Sequence, residues 1–93
     1  MAVKVVDNPA EGRFEADIDG ELAVAEYHVE GDAMVFTHTE VPQQFRAQGV
    51  AMALAEYGLD AARARSMKVV PRCRFIAAYI EKHPEYQDLV RND

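Results

Sequence analysis

Val41-Pro42-Gln43-Gln44-Phe45-Arg46-Ala47-Gln48-Gly49-Val50-Ala51 is the stretch on which the reading of this chain turns. Upstream of it, at residues 13–19, polar and apolar residues alternate one by one; after it, apolar residues recur every three or four positions. The change of period marks a strand-to-helix junction. The first turn of a helix has unpaired N–H groups and the positive end of the peptide dipole, so it attracts phosphate. Small residues at 47, 49 and 51 would let such a ligand approach the backbone closely. Taken alone, the stretch fits a tight turn packed on a sheet equally well, and one glycine does not separate the two.

On the N-terminal side, Arg13-Phe14-Glu15-Ala16-Asp17-Ile18-Asp19 alternates without a fault, the period of a half-buried strand. Asp19-Gly20 suits a two-residue hairpin turn, whose central residues both need positive φ. Residues 21–30 read as the returning strand, Gly31-Asp32 as a turn, and residues 33–41 as a β-branched and aromatic third strand ended by Pro42. A short strand at residues 3–6 and a loop at Asn8-Pro9 precede them. On the C-terminal side, Ala47, Val50, Leu54, Tyr57 and Ala61 predict an amphipathic helix over 47–65. Lys68-Val69-Val70-Pro71 is a short strand. Phe75, Ile76, Tyr79 and Ile80 line a second helix that stops near His83, before Pro84, which opens a last helical turn. The expectation is one α+β domain over 1–93, an antiparallel β meander followed by a β-α-β-α unit.

Composition narrows the partners. The chain of 93 residues has a net charge of −6, which disfavours a general nucleic-acid binder. Residues 1–42 hold ten acids and two bases, whereas residues 43–93 hold eight bases and six acids. The asymmetry is either a chance feature of a solvated surface or a sign that the second half handles an anion. One cysteine forms no internal disulfide, and no histidines stand at metal-ligand spacing beside it, so no metal is expected. No apolar run suggests a leader or a membrane span, and the expected setting is the cytoplasm without membrane attachment.

Arg46-Ala47-Gln48-Gly49-Val50-Ala51 resembles the Arg/Gln-x-x-Gly-x-Gly/Ala motif of the GNAT superfamily of N-acetyltransferases. His38-Thr39-Glu40-Val41-Pro42, Val69-Val70-Pro71-Arg72-Cys73 and His83-Pro84-Glu85-Tyr86 are similar to a subfamily of very short members, and the likeness covers roughly residues 13–89. The resemblance implies a minimal GNAT-like (acyl-CoA N-acyltransferase) fold. It also implies acetyl-CoA or CoA as cosubstrate, with its pyrophosphate on the amides of Arg46, Ala47, Gln48, Gly49, Val50 and Ala51. Val41 takes the place of the strand residue whose backbone bonds the pantetheine arm. The loop departs from the subfamily at Ala47, where Gly is frequent. Asp19-Gly20 also joins two strands between which larger members carry helices that shape the acceptor site. A P-loop is excluded, because no Gly-Lys-Ser/Thr follows the loop.

Four residues are candidates for the chemistry. His38 and Glu40 alternate onto one strand face, either as general base or as a polar surface pair. Tyr79 is a core aromatic or, on the resemblance, the acid that protonates the departing thiolate. Cys73, between Arg72 and Arg74 at a helix start, is a small buried hydrophobe or a reactive thiol, which the resemblance would place near the thioester. Arg63, Arg65 and Lys68 form a solvated face or meet the nucleotide phosphates. Three functions follow: an acetyltransferase acting on an amine or thiol of a small molecule or protein, a non-catalytic CoA-binding or interaction module, and a structural partner with an incidental anion loop.

Overall fold

Alternation and turn chemistry give the sheet its strands in the computed structural model, which describes residues 3–91. Met1, Ala2, Asn92 and Asp93, the ends of the expected 1–93 unit, lie outside the described residues. The strands are β1 (Val5–Asn8), β2 (Arg13–Ile18), β3 (Glu21–Glu30), β4 (Ala33–Glu40) and β5 (Lys68–Pro71). The helices are α1 (Val50–Ala64) and α2 (Arg74–Lys82), with 3-10 segments at Gln43–Gln48 and Pro84–Leu89. The sheet order is β1-β2-β3-β4-β5. The first three pairings are antiparallel, and β4 pairs with β5 in parallel across the α1 crossover. This is the α+β meander with a β-α-β-α unit.

Asp19 (φ 53°) and Gly20 (φ 85°) both lie in the left-handed region that the hairpin turn requires. Between β3 and β4 the register slips: Glu26 faces His38 but Tyr27 faces Phe36, which leaves Thr37 as the extra residue of a bulge. One face of the sheet packs on both helices, with Phe14, Tyr27, Met34 and Phe36 meeting Leu54, Leu59 and Ile76. Gly58 lets α1 come this close, since a Cβ there would stand 2.9 Å from the Phe36 ring. The other face buries a small cluster of Ala33, Val35 and Val70, which no helical residue joins, and Val24 beside it.

Three expected boundaries are corrected. The first strand is shifted two residues, to Val5–Asn8, where it pairs with β2. The helix expected over 47–65 starts only at Val50, because Gly49 at φ 77° and ψ 14° breaks the path between the 3-10 segment and α1. After the last 3-10 segment Val90 bridges Val69 in parallel, and the Arg91 N–H donates to the Val69 carbonyl at 2.9 Å. A single bridging residue leaves no periodicity to read.

Candidate functional site

β4 and β5 run side by side only from Ala33 with Lys68 to Phe36 with Pro71. There the Phe36 carbonyl accepts two N–H groups, from Arg72 at 3.0 Å and Cys73 at 2.9 Å. Pro71 has no N–H to continue a ladder, and the chain turns into α2 while β4 runs on to Glu40. The two strands therefore part at Phe36. A cavity of about 270 Å³ opens along the freed end of β4, lined by His38, Thr39, Glu40, Val41, Arg46, Ala51 and Phe75.

The loop above the cavity is tied to the strand end by Arg46 Nε–H, which donates to the Val41 carbonyl at 3.1 Å, and by the Phe45 N–H, which donates to the Pro42 carbonyl at 2.9 Å. Gly49 then caps α1, its carbonyl accepting the Ala53 N–H at 3.1 Å. No side chain caps this helix start and its first turn holds no acid, so its free amides and positive dipole end stay available to an anion. A Cβ at Gly49 would meet nothing within 4 Å, so the approach is open.

Five of the expected residues, His38, Glu40, Val41, Arg46 and Ala51, share the cavity wall. Ala47, Gln48 and Gly49 are exposed in the adjoining loop, while the Val50 side chain is fully buried in the core. His38 Nε2 and Glu40 Oε1 are 3.8 Å apart, and both side chains are more than half exposed. Cys73 is buried at the start of α2, with its Sγ 3.3 Å from Thr39 Oγ1, a contact that spans the parted strands.

Tyr79 lies outside this cavity. It lines a neighbouring one of about 160 Å³ with Met52, Phe75, Ala78, Lys82 and His83. Its ring stacks on His83 at 3.9 Å, and His83 Nδ1 is 2.8 Å from the Tyr79 carbonyl oxygen. Burial pushes its phenol above the ordinary value, helped by the nearby carboxylates of Glu56, Glu85 and Asp60. Phe75 borders both cavities and was not foreseen as a site residue. The signal was its position: the first apolar residue of α2, exposed while Ile76, Tyr79 and Ile80 are buried. Thr39 was hidden between its two ionisable neighbours.

The basic residues expected to meet nucleotide phosphates are at the wrong end of α1. Arg63 donates to the Asp88 carboxylate and the Glu85 carbonyl, Arg65 to Asp7, and Lys68 to the Asp88 carbonyl. A helix of 15 residues is about 22 Å long, so roughly that distance separates them from the loop. Another cavity, of about 670 Å³, runs along α1 past Val3, Val5, Tyr57 and Ala61 and touches none of the loop residues. Among the described residues no three His, Cys, Asp or Glu side chains converge as metal ligands.

The family model described as GCN5-related N-acetyl-transferase matches residues 13–89. Protein NATD1 of Xenopus tropicalis is 30% identical over 93 residues, covering 97% of this chain and 85% of that protein. Protein NATD1 of Homo sapiens is 30% identical over 92 residues, covering 96% and 81%. The solution structure of a GCN5-like protein from Staphylococcus aureus matches with a TM-score of 0.74 at 26% identity, covering 97% of this chain and 89% of that one.

Proposed function

As a chain that belongs to the GCN5-related N-acetyltransferase family, we propose, it binds acetyl-CoA and transfers the acetyl group to an amine, or a thiol, of a small-molecule or protein acceptor in the cytoplasm. The observation that carries this reading is the cavity where β4 leaves β5, beneath an uncapped helix start. Amides of residues 46–51 hold the pyrophosphate. The pantetheine arm runs along the end of β4 and bonds the Val41 N–H, since the carbonyl of Val41 is engaged by Arg46. The thioester then lies at the fork, beside Thr39 and Cys73.

Catalysis is mostly positioning. The acceptor nitrogen attacks the thioester carbonyl carbon; a C–N bond forms and the C–S bond breaks. Glu40 or His38 takes the amine proton, both being exposed enough to meet an incoming acceptor. Tyr79, which lines the neighbouring cavity beyond Phe75, returns a proton to the departing thiolate. Cys73 forms part of the fork through its contact with Thr39.

The experiment is a melting curve with and without saturating acetyl-CoA. A ligand that binds only the folded chain raises its stability by linkage. The wild type should gain stability and Gly49→Glu should not, because a carboxylate would occupy the phosphate position. An unchanged melting temperature for the wild type removes the reading. A second reading, a CoA-binding module without catalysis, is favoured by the direct Asp19-Gly20 turn, with Ile18 facing Glu21 and no element between to form an acceptor wall. Release of free CoA thiol in the presence of an amine separates the two.

A further inference from the structure

The sheet face turned away from the helices carries no helix, and the strand register identifies its residues. Residues directly opposite on neighbouring strands share a face. Glu15 faces Val24, which faces Glu40; Arg13 faces Glu26, which faces His38; and Asp17 faces Leu22. Phe14 and Ala25, one step along, belong to the core on the helical side.

Two properties of this face stand out. Among the described residues, Asp17 and Glu26 have no salt-bridge partner, although Arg13 attracts Glu26. Glu40 has only the 3.8 Å approach of His38. Strands lie about 4.8 Å apart, so these carboxylates on β2, β3 and β4 spread over roughly 10 Å. Apolar surface is interleaved with them, for Leu22 and Val6 are each 45% exposed. A small-molecule site is concave; a pleated sheet face is not. Three separated negative charges around exposed aliphatic groups fit an extended chain whose long cationic side chains lay their stems on the apolar patches.

We propose that this face docks an extended segment of a partner protein rich in lysine and arginine, lying across β2, β3 and β4. Part of the acid surplus of residues 1–42 lies on this face, as Glu15, Asp17, Glu26 and Glu40, and draws such a segment towards it. Glu40 also borders the acetyl-CoA cavity, but the variants that test the docking, at Asp17 and Glu26, leave that cavity and the loop at 46–51 intact, so failure of the docking is distinguishable from failure of acetyl-CoA binding.

The test is fluorescence anisotropy of the intact protein with a labelled peptide of alternating lysine and serine. Wild type should bind at low salt and weaken as salt rises. Asp17→Asn combined with Glu26→Gln should lower affinity about fivefold, the scale of two exposed ion pairs. Asn keeps the acceptor that now bonds the Gly20 N–H. Glu56→Gln combined with Glu81→Gln removes the same charge from exposed helical positions and should change affinity by less than about twofold. Equal losses in the two double variants would overturn the proposal, since only net charge would then matter. Displacement of the peptide by spermine at equal concentration would also overturn it, because a short polyamine needs no extended face. If the first double variant melts early, Leu22→Lys, which puts a cation on the face, carries the test: unchanged binding overturns the docking.

Discussion

At the scale of single residues, Gly49 and Cys73 carry the clearest consequences. Gly49 has φ 77° with open space where a Cβ would sit, so its requirement is conformational rather than steric. Gly49→Ala should cost about 1–2 kcal/mol, the left-handed penalty of an L-residue. It should also keep much of the acetyl-CoA stabilisation that Gly49→Glu loses. Urea melts of the two variants with and without acetyl-CoA check both statements, and an Ala variant as stable as wild type refutes the first. Cys73 is 8% exposed and its Sγ is engaged by Thr39. A nucleophile needs a free path to the acyl carbon, so a wall of the fork suits it better. Peptide mass mapping after incubation with acetyl-CoA should find no acetyl on Cys73. An adduct that disappears in Cys73→Ser would instead give the thiol a covalent role.

At the scale of elements, α1 both seats the loop and closes the core. Gly58→Ala would set a methyl 2.9 Å from the Phe36 ring and 3.3 Å from Phe14, both fully buried. Overpacking of this kind costs about 1–3 kcal/mol, while the helix gains back about 1 kcal/mol from losing a glycine. The net should be destabilisation by about 1 kcal/mol, seen as an earlier thermal transition; a more stable variant would mean that the sheet yields easily. The far end of α1 is an anchor. Arg63 joins it to Asp88, and Arg65 joins it to Asp7 on β1. Replacing Arg63 with Ala should therefore leave acetyl-CoA affinity and its salt dependence within about twofold, whereas Arg46→Ala should weaken both. Isothermal titrations at low and high salt distinguish the two arginines.

For the whole molecule, stability should fall with acid. Hydrogen bonds from Arg13 and Asn8 hold the Glu15 carboxyl below its ordinary 4.5, and Arg63 holds Asp88 below its ordinary 3.8. A carboxyl lowered on folding stabilises above its unfolded value and loses that contribution as pH drops through the folded one. Unfolding free energy should thus decline below about pH 4.5. Glu15→Gln should lower stability at neutral pH and flatten the decline, and an equally steep decline in that variant would refute the assignment. Much of this architecture is legible along the chain. The alternation of residues 13–18, the positive φ of Asp19 and Gly20, the bounds of β3 and the loop above α1 all follow from neighbours a few positions apart. Local sterics, period and turn chemistry act over that range. The parting of β4 from β5 follows from the family resemblance rather than from local pattern, and the bulge at Thr37, the separation of Tyr79 from the main cavity, and the pairing of Thr39 with Cys73 follow from neither. The same holds for the diversion of Arg65 to Asp7, a contact between residues 58 positions apart. Such contacts depend on how a helix settles on a twisted sheet, and only the packed tertiary structure decides which of several equally charged or equally apolar partners ends up within reach.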